Sequence, residues 1–411
     1  IAYDFVKGGE EFYKGGGHDK GLDLAAVKVP DATTLVIELE APTIFFPTML
    51  GLPIWMPVHR ATVEKHGSST WSLRPETYMG NGAFKMTAYR PKERIELTKT
   101  DTYWNNASIF WNKAIILTID SDNTEYAAFT NGEVDVTFNI PIQEIPSWRG
   151  KPELMTFPTI GSYFVGFNCK KPPFDDARVR KAFSLAIDRS LITERITRRK
   201  ERTSTGFLPR GFVSPQGGDF RDHTPDFVGG TNVEAAKKLL AEAGYGPGGK
   251  QLPPLDYLYA TREENKLIAE QLQSMWLRAF GVDVRLVNVE AGVYFARTSS
   301  HDFQMARQTW FGDYLDPLTF MDLNLTGGSQ NDGQYENPRY DELVNKARVE
   351  RDPVAREKLF IEAERILIAE DAAVAPIYDY QVMYLKNAQI EGVATNSLAG
   401  LIWTTAKRVA K

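Results

Sequence analysis

The chain has 411 residues, more than a single compact core accommodates, so two or more lobes are expected. Apolar residues at 43% and charged residues at 25% describe an ordinary globular protein. A net charge of −5 without a long run of either sign speaks against a nucleic-acid or anionic-membrane surface.

Residues 1–14 place Phe5, Phe12 and Tyr13 on one side of a helical period, and Gly15-Gly16-Gly17 ends the helix. Residues 27–29 and 34–39 are β-rich runs around Pro30-Asp31-Ala32, a hairpin signal. The apolar stretch 45–56 is punctuated by Pro47 and Pro53 and reads as a crossing loop, followed by a short helix ended by Gly67. Strands are expected at 84–89, 94–99, 115–119 and 134–136, the third of them buried. A helix at 125–130 is stopped by Asn131-Gly132. This alternation is the α/β pattern of a lobe with a parallel or mixed sheet.

Residues 159–169 read as one long strand, in which Gly161 and Gly166 permit close approach of another backbone. Cys169 is the only cysteine, which excludes an intrachain disulfide and reads as a buried, inert thiol. Residues 178–196 form one amphipathic helix with Val179, Ala182, Phe183, Ala186 and Ile187 on one face. A glycine- and proline-rich loop over 209–230 leads to a helix at 233–243, capped by Asn232 and Gly244. A strand at 255–259, a helix at 263–280 ended by Gly281, and a strand at 282–289 follow. Helices at 338–349 and 354–368 precede the segment 373–380, which leads back toward the first lobe. His18, His59, His66, His223 and His301 have no metal-ligand spacing, so neither a metal nor a cofactor is expected. No apolar run reaches the length of a bilayer span, and the chain opens at Ile1 without a signal peptide.

The stretch 305–320 carries the chemistry. Its first half, Met305-Ala306-Arg307-Gln308-Thr309-Trp310-Phe311, alternates like a strand, and Asp316-Pro317 stops regular structure. Arg307, Trp310, Gly312 and Asp313 therefore converge at a strand end. Arg307 suits a carboxylate, Asp313 an ammonium and Trp310 an apolar body, the three needs of a small zwitterion. The competing reading is a sheet-end turn whose charges sit in water. A third reading pairs Asp313 with Asp316 as the carboxylates of a hydrolase, although Pro317 favours a turn in which aspartate bonds its own backbone. No nucleophile elbow, phosphate loop or zinc motif accompanies them, and the chain is not expected to be an enzyme.

The motif Arg307-x-x-Trp310-x-x-Asp313-Tyr314-x-Asp316-Pro317-x-Thr319-Phe320 resembles the signature loop of the oligopeptide- and dipeptide-binding proteins of ABC transporters, family 5 of the extracytoplasmic solute-binding proteins. Phe174-Asp175-Asp176-Ala177-Arg178-Val179-Arg180-Lys181-Ala182-Phe183 is similar to that family's most recognisable helix. Gly80-Asn81-Gly82-Ala83-Phe84, Tyr103-Trp104-Asn105, Ala235-Ala236-Lys237-Lys238-Leu239-Leu240 and Tyr335-Glu336-Asn337-Pro338 match in the same order.

The resemblance implies an α/β, two-lobed periplasmic-binding-protein-like fold (type II, large peptide-binding class) with a ligand cleft between the lobes. It implies a remnant of a small extra domain at 1–52, a first lobe at 53–158 and 381–411, and a second at 159–380, with an amino-terminal part absent. By the same resemblance Asp313 meets a peptide ammonium and Arg307 a carboxylate. Trp310, Phe311 and Thr309 surround the first ligand positions, and Tyr163, Phe164 and Val165 line the cleft. Some peptide receptors of the family carry a glutamate where this chain has Gly166, which leaves sugars and metal chelates open as ligands. The implied partners are a peptide or peptide-like ligand and ABC permease subunits, with no nucleic acid, for a periplasmic monomer.

Overall fold

β-branched and aromatic side chains build a mixed six-stranded sheet, seen in a computed structural model that describes residues 2–17, 20, 22–398 and 400–409. Ile1 and His18, named above, lie outside the described residues. The strands are β1 (Leu154–Phe167), β2 (Arg202–Thr203), β3 (Leu255–Ala260), β4 (Val284–Val289), β5 (Met305–Phe311) and β6 (Val374–Leu385). Their order is β2-β6-β1-β5-β3-β4. β5 runs antiparallel to β1 and parallel to β3, which is itself parallel to β4. A parallel pair needs a long crossover, and the helix between β3 and β4 supplies it.

Four helices matter for the site: α1 (Ala177–Leu185), α2 (Glu263–Phe280), α3 (Ala291–Ser299) and α4 (Leu318–Met321). α2 has acids in its first turn, Arg278 in its last, and ends on Gly281 at φ 69°, a conformation that favours glycine. Neighbouring strand residues face opposite ways, so Tyr257 and Leu258 divide the sheet into two faces. On Tyr257's face Trp276 of α2 packs against Tyr257 and Phe183, and Phe174 and Phe167 extend the stack. The Trp276 indole donates to the Phe183 carbonyl at 3.1 Å, so its one polar atom is satisfied in the core. On the other face Tyr294 of α3 packs with Leu258, Phe303 and Ala306.

The chain divides into two compact units. One comprises Ile1–Met56, Gly161–Arg189 and Thr203–Tyr378, and the other Pro57–Ile160, Ser190–Arg202 and Asp379–Lys411. Two segments group differently from the sequence-based division. Residues 1–56 join the first unit, where Phe45 stacks on Tyr314 at 5.1 Å with Phe5 edge-on to both rings. Ser190–Arg202, inside the expected second lobe, groups with the other unit. That unit contains an antiparallel sheet of Phe84–Arg90, Arg94–Lys99 and Lys113–Leu117 and a cluster of Ile140, Ile145 and Leu385.

Several local expectations need correction. The first helix is two, Ala2–Phe5 and Gly9–Lys14, because Gly8 between them is left-handed at φ 66°. The strand expected to be buried at 115–119 is Lys113–Leu117 at a sheet edge, with Ile115 51% exposed. A continuous apolar run shows that a strand is apolar on both faces, not that both faces are covered. The strand expected at 134–136 is reduced to one bridge between Val136 and Lys386. The helix expected over 178–196 is interrupted after Leu185 and resumes at Arg189–Leu191 and Ile192–Ile196, because other groups take the carbonyls that would carry it on. The buried Arg189 guanidinium donates to the Ser184 carbonyl at 3.2 Å, and the Asn232 amide donates to the Leu185 carbonyl at 2.8 Å. Cys169 is half-buried, and burial pushes its thiol above the usual range, as an inert thiol requires.

Candidate functional site

The register of β5 on β1 decides which candidate residues share a surface. Arg307 lies opposite Val165, Gln308 opposite Phe164, Thr309 opposite Tyr163, Trp310 opposite Ser162 and Phe311 opposite Gly161. Directly opposed residues share a face and successive ones do not. Trp310 and Phe164 therefore lie on the α3 face, whereas Arg307, Thr309, Phe311, Tyr163 and Val165 lie on the α2 face. Seven of the eight residues named from the sequence lie on these two strands and form two surfaces rather than one, and Asp313 lies in the loop just beyond β5.

On the α2 face the Arg307 guanidinium sits 5.2 Å over the Tyr163 ring, which stacks on Tyr378 at 5.0 Å. Tyr163 and Val165 are buried there, so they support the site rather than form an open wall. Thr309 Oγ1 is buried without a hydrogen-bond partner among the described residues. Phe311, at the strand end, is 40% exposed.

β3 pairs with β5 only at Met305 and Ala306. Beyond them the β5 edge has no neighbouring strand among the described residues, and the Tyr294 hydroxyl donates to the Arg307 carbonyl at its start. An edge of this kind presents backbone donors and acceptors to another extended chain.

The loop after β5 is held from two sides. Thr319 Oγ1 accepts from the Asp313 amide at 3.0 Å and from Trp310 Nε1 at 3.4 Å. Asp316 Oδ1 accepts from the Leu318 amide at 3.0 Å, at the first residue of α4. Both Asp316 oxygens also accept from Arg356, at 2.6 and 2.8 Å, with both side chains buried. Asp316 is thus committed to the fold. The reading of Asp313 and Asp316 as a pair of catalytic carboxylates is corrected accordingly, because both Asp316 oxygens are taken by Arg356 and the Leu318 amide and the side chain is buried away from any substrate. Asp313 differs. No side chain among the described residues bonds its carboxylate, and burial raises its pKa above the usual aspartate value.

On the α3 face lies a cavity of about 280 Å³. Phe164, Trp310, Tyr294, Leu323, Gln308 and Asp332 line it, among others. The place a side chain at Gly166 would take is filled by the amide end of Gln308, which any larger residue there would displace. Gln308 Nε2 in turn donates to Asp332 Oδ2 at 3.4 Å. Sequence reading passed over Gln308, Tyr294 and Asp332. No periodicity marks them as a group, and only the fold brings α3 and the 329–335 loop beside β5.

Asp322, in the turn after α4, carries a pH signature. Burial pushes its pKa from 3.8 up to about 6, against the Arg348 guanidinium 2.8 Å away and with the Asp316 and Asp4 charges adding to the rise. A folded value above the unfolded one means that its contribution is fully present below about pH 4 and lost as pH rises through about 6. Asp322→Asn is expected to remove this loss. Its unfolding free energy relative to wild type should shift in its favour by about 1–2 kcal/mol between pH 4 and pH 7, a figure reduced for screening of a side chain that is 29% exposed. Denaturant melts at the two pH values measure it, and parallel curves for the two proteins would refute it.

Comparison with known proteins adds an independent line. A family model for bacterial extracellular solute-binding proteins, family 5 Middle, matches residues 2–332. The dipeptide-binding protein DppE of Bacillus subtilis is 32% identical over 389 residues, a match that covers 95% of this chain and 70% of the relative. The solved structure of the Escherichia coli murein tripeptide binding protein MppA superposes with a TM-score of 0.82 at 29% identity, covering 100% of this chain and 79% of that one. The structure of Haemophilus influenzae OppA in complex with RPPGFSPFR gives a TM-score of 0.80 at 26% identity, with the same coverage.

Proposed function

Because the chain belongs to the bacterial extracellular solute-binding proteins of family 5, we propose that it captures dipeptides or oligopeptides outside the cytoplasm and delivers them to the permease of an ABC importer. It acts by binding without turnover, as a periplasmic monomer. We carry forward the same lobes, 53–158 with 381–411 and 159–380, and residues 1–52 as the remnant of a smaller domain.

The observation that carries this reading is the open β5 edge with Asp313 two residues beyond it. An extended peptide satisfies its amides on such an edge, which gives affinity with little regard to side chains. Its ammonium then meets Asp313, whose carboxylate burial has left costly to ionise and poised for a cation. Trp310 offers an apolar wall, and Phe311, Thr309 and Phe164 border the path. Arg307 supplies a cation for a carboxylate, with Tyr163 and Val165 behind it. Support also comes from the relatives, whose names record dipeptide and murein tripeptide binding.

Calorimetric titration with tri-alanine tests the proposal. Saturable binding with the tripeptide recovered intact is expected. Absence of binding by tri-alanine and by a mixed tripeptide library, or cleavage of the bound peptide, would overturn it.

A further inference from the structure

The cavity on the α3 face bears on which peptides are preferred, an inference that rests on the proposed peptide-binding function. We infer that this cavity is a subsite for a ligand residue with a long cationic side chain, lysine or arginine, and that Asp332 is its counter-ion.

A strand added along the β5 edge would place every second side chain on the face of Gln308 and Trp310, where the cavity opens. The volume of about 280 Å³ is at the low end for ligand pockets and fits one long side chain rather than a whole ligand. Its walls are largely apolar: Phe164 packs edge-on to Phe207 at 5.1 Å, and Leu323, Tyr294 and Trp310 complete them. Such walls cover the methylenes of a lysine or arginine stem, which an apolar side chain would exploit equally well. The distinguishing group is Asp332. It is half-buried, burial raises its pKa, and no ion pair reaches it among the described residues.

Among the groups around Asp332, the nearby His301 counters part of the rise from burial, but it forms no ion pair with the carboxylate. Gln308 reaches it at 3.4 Å, Thr298 lies within bonding reach, and His301 Nδ1 meets its backbone carbonyl at 3.0 Å. Arg307 also borders the cavity, but its guanidinium is over Tyr163 on the other face of the sheet. A carboxylate among aromatic walls is costly to ionise alone and favours a cation that brings its own apolar stem. Because Gln308 occupies the space at Gly166, its amide is held toward Asp332.

Three tripeptide pairs test this by calorimetry: lysine or norleucine at the first, second or third position, with alanine elsewhere. Norleucine has the lysine stem without the charge. At one position lysine is expected to bind about 10-fold tighter or more than norleucine. Asp332→Asn should collapse that ratio toward one, and Asp332→Glu should keep most of it. Norleucine equal to or tighter than lysine at all three positions would overturn the subsite while leaving peptide binding intact. A lysine preference that survives Asp332→Asn would also overturn it, because the charge would then be met elsewhere. If none of the six peptides binds, the peptide-binding function itself fails and the subsite with it.

Discussion

Replacing Arg356 by alanine is expected to lower folding stability by roughly 3–5 kcal/mol, the usual consequence of leaving a buried charge without its partner. Arg356 holds both oxygens of Asp316, at 2.6 and 2.8 Å, and donates to the Ala347 carbonyl at 2.7 Å. Its guanidinium also lies 4.7 Å over Phe360 and 5.2 Å over Phe45. Removal strands the Asp316 carboxylate in a site where water does not reach it, and frees the loop that carries Asp313. A double change, Asp316→Leu with Arg356→Met, removes both charges. It should cost much less, mainly the lost hydrogen bond from the Leu318 amide at about 1 kcal/mol. Denaturant melts of the single and double variants measure the contrast. A single variant as stable as wild type would mean that the pair is not the brace described here, and that Asp316 is free for other chemistry.

Asp313→Ala is expected to weaken a peptide with a free amino terminus by about 2–4 kcal/mol, because the ligand's ammonium loses its counter-charge where water is partly excluded. An N-acetylated analogue should bind wild type and variant alike. Equal losses for both peptides would remove Asp313 from the site. The sign of the pH effect follows from the same geometry. Burial raises the Asp313 pKa in the free protein, so affinity for the free-amine peptide should fall as pH drops toward that raised value. The acetylated peptide should show no such fall. Titrations with both peptides on one preparation separate the ammonium contact from backbone pairing along β5.

Much of this protein was legible before folding was considered. The helix Glu263–Phe280 with its terminal Gly281, the helix Val233–Glu242 with Asn232 as its cap, and the strand Met305–Phe311 are written in local periodicity and capping residues. These depend on a residue and its neighbours within a turn or two. The motif from Arg307 to Phe320, taken together with the other segments that match in the same order, sufficed to place the chain in its family. Tertiary structure alone decided the rest. Register on β1 set which of Tyr163, Phe164 and Val165 shares a face with Arg307 and which with Trp310, and no count along either strand could reveal that without its partner. Arg356, far along the chain, took Asp316 out of the candidate chemistry, and the Asn232 amide took the Leu185 carbonyl where a helix stopped although its apolar stripe continued. Asp332 met Gln308 because α3 and a distant loop pack beside β5. Which charge is paired, which carbonyl is taken and which apolar edge is covered depend on segments brought together by packing, and local periodicity carries no record of them.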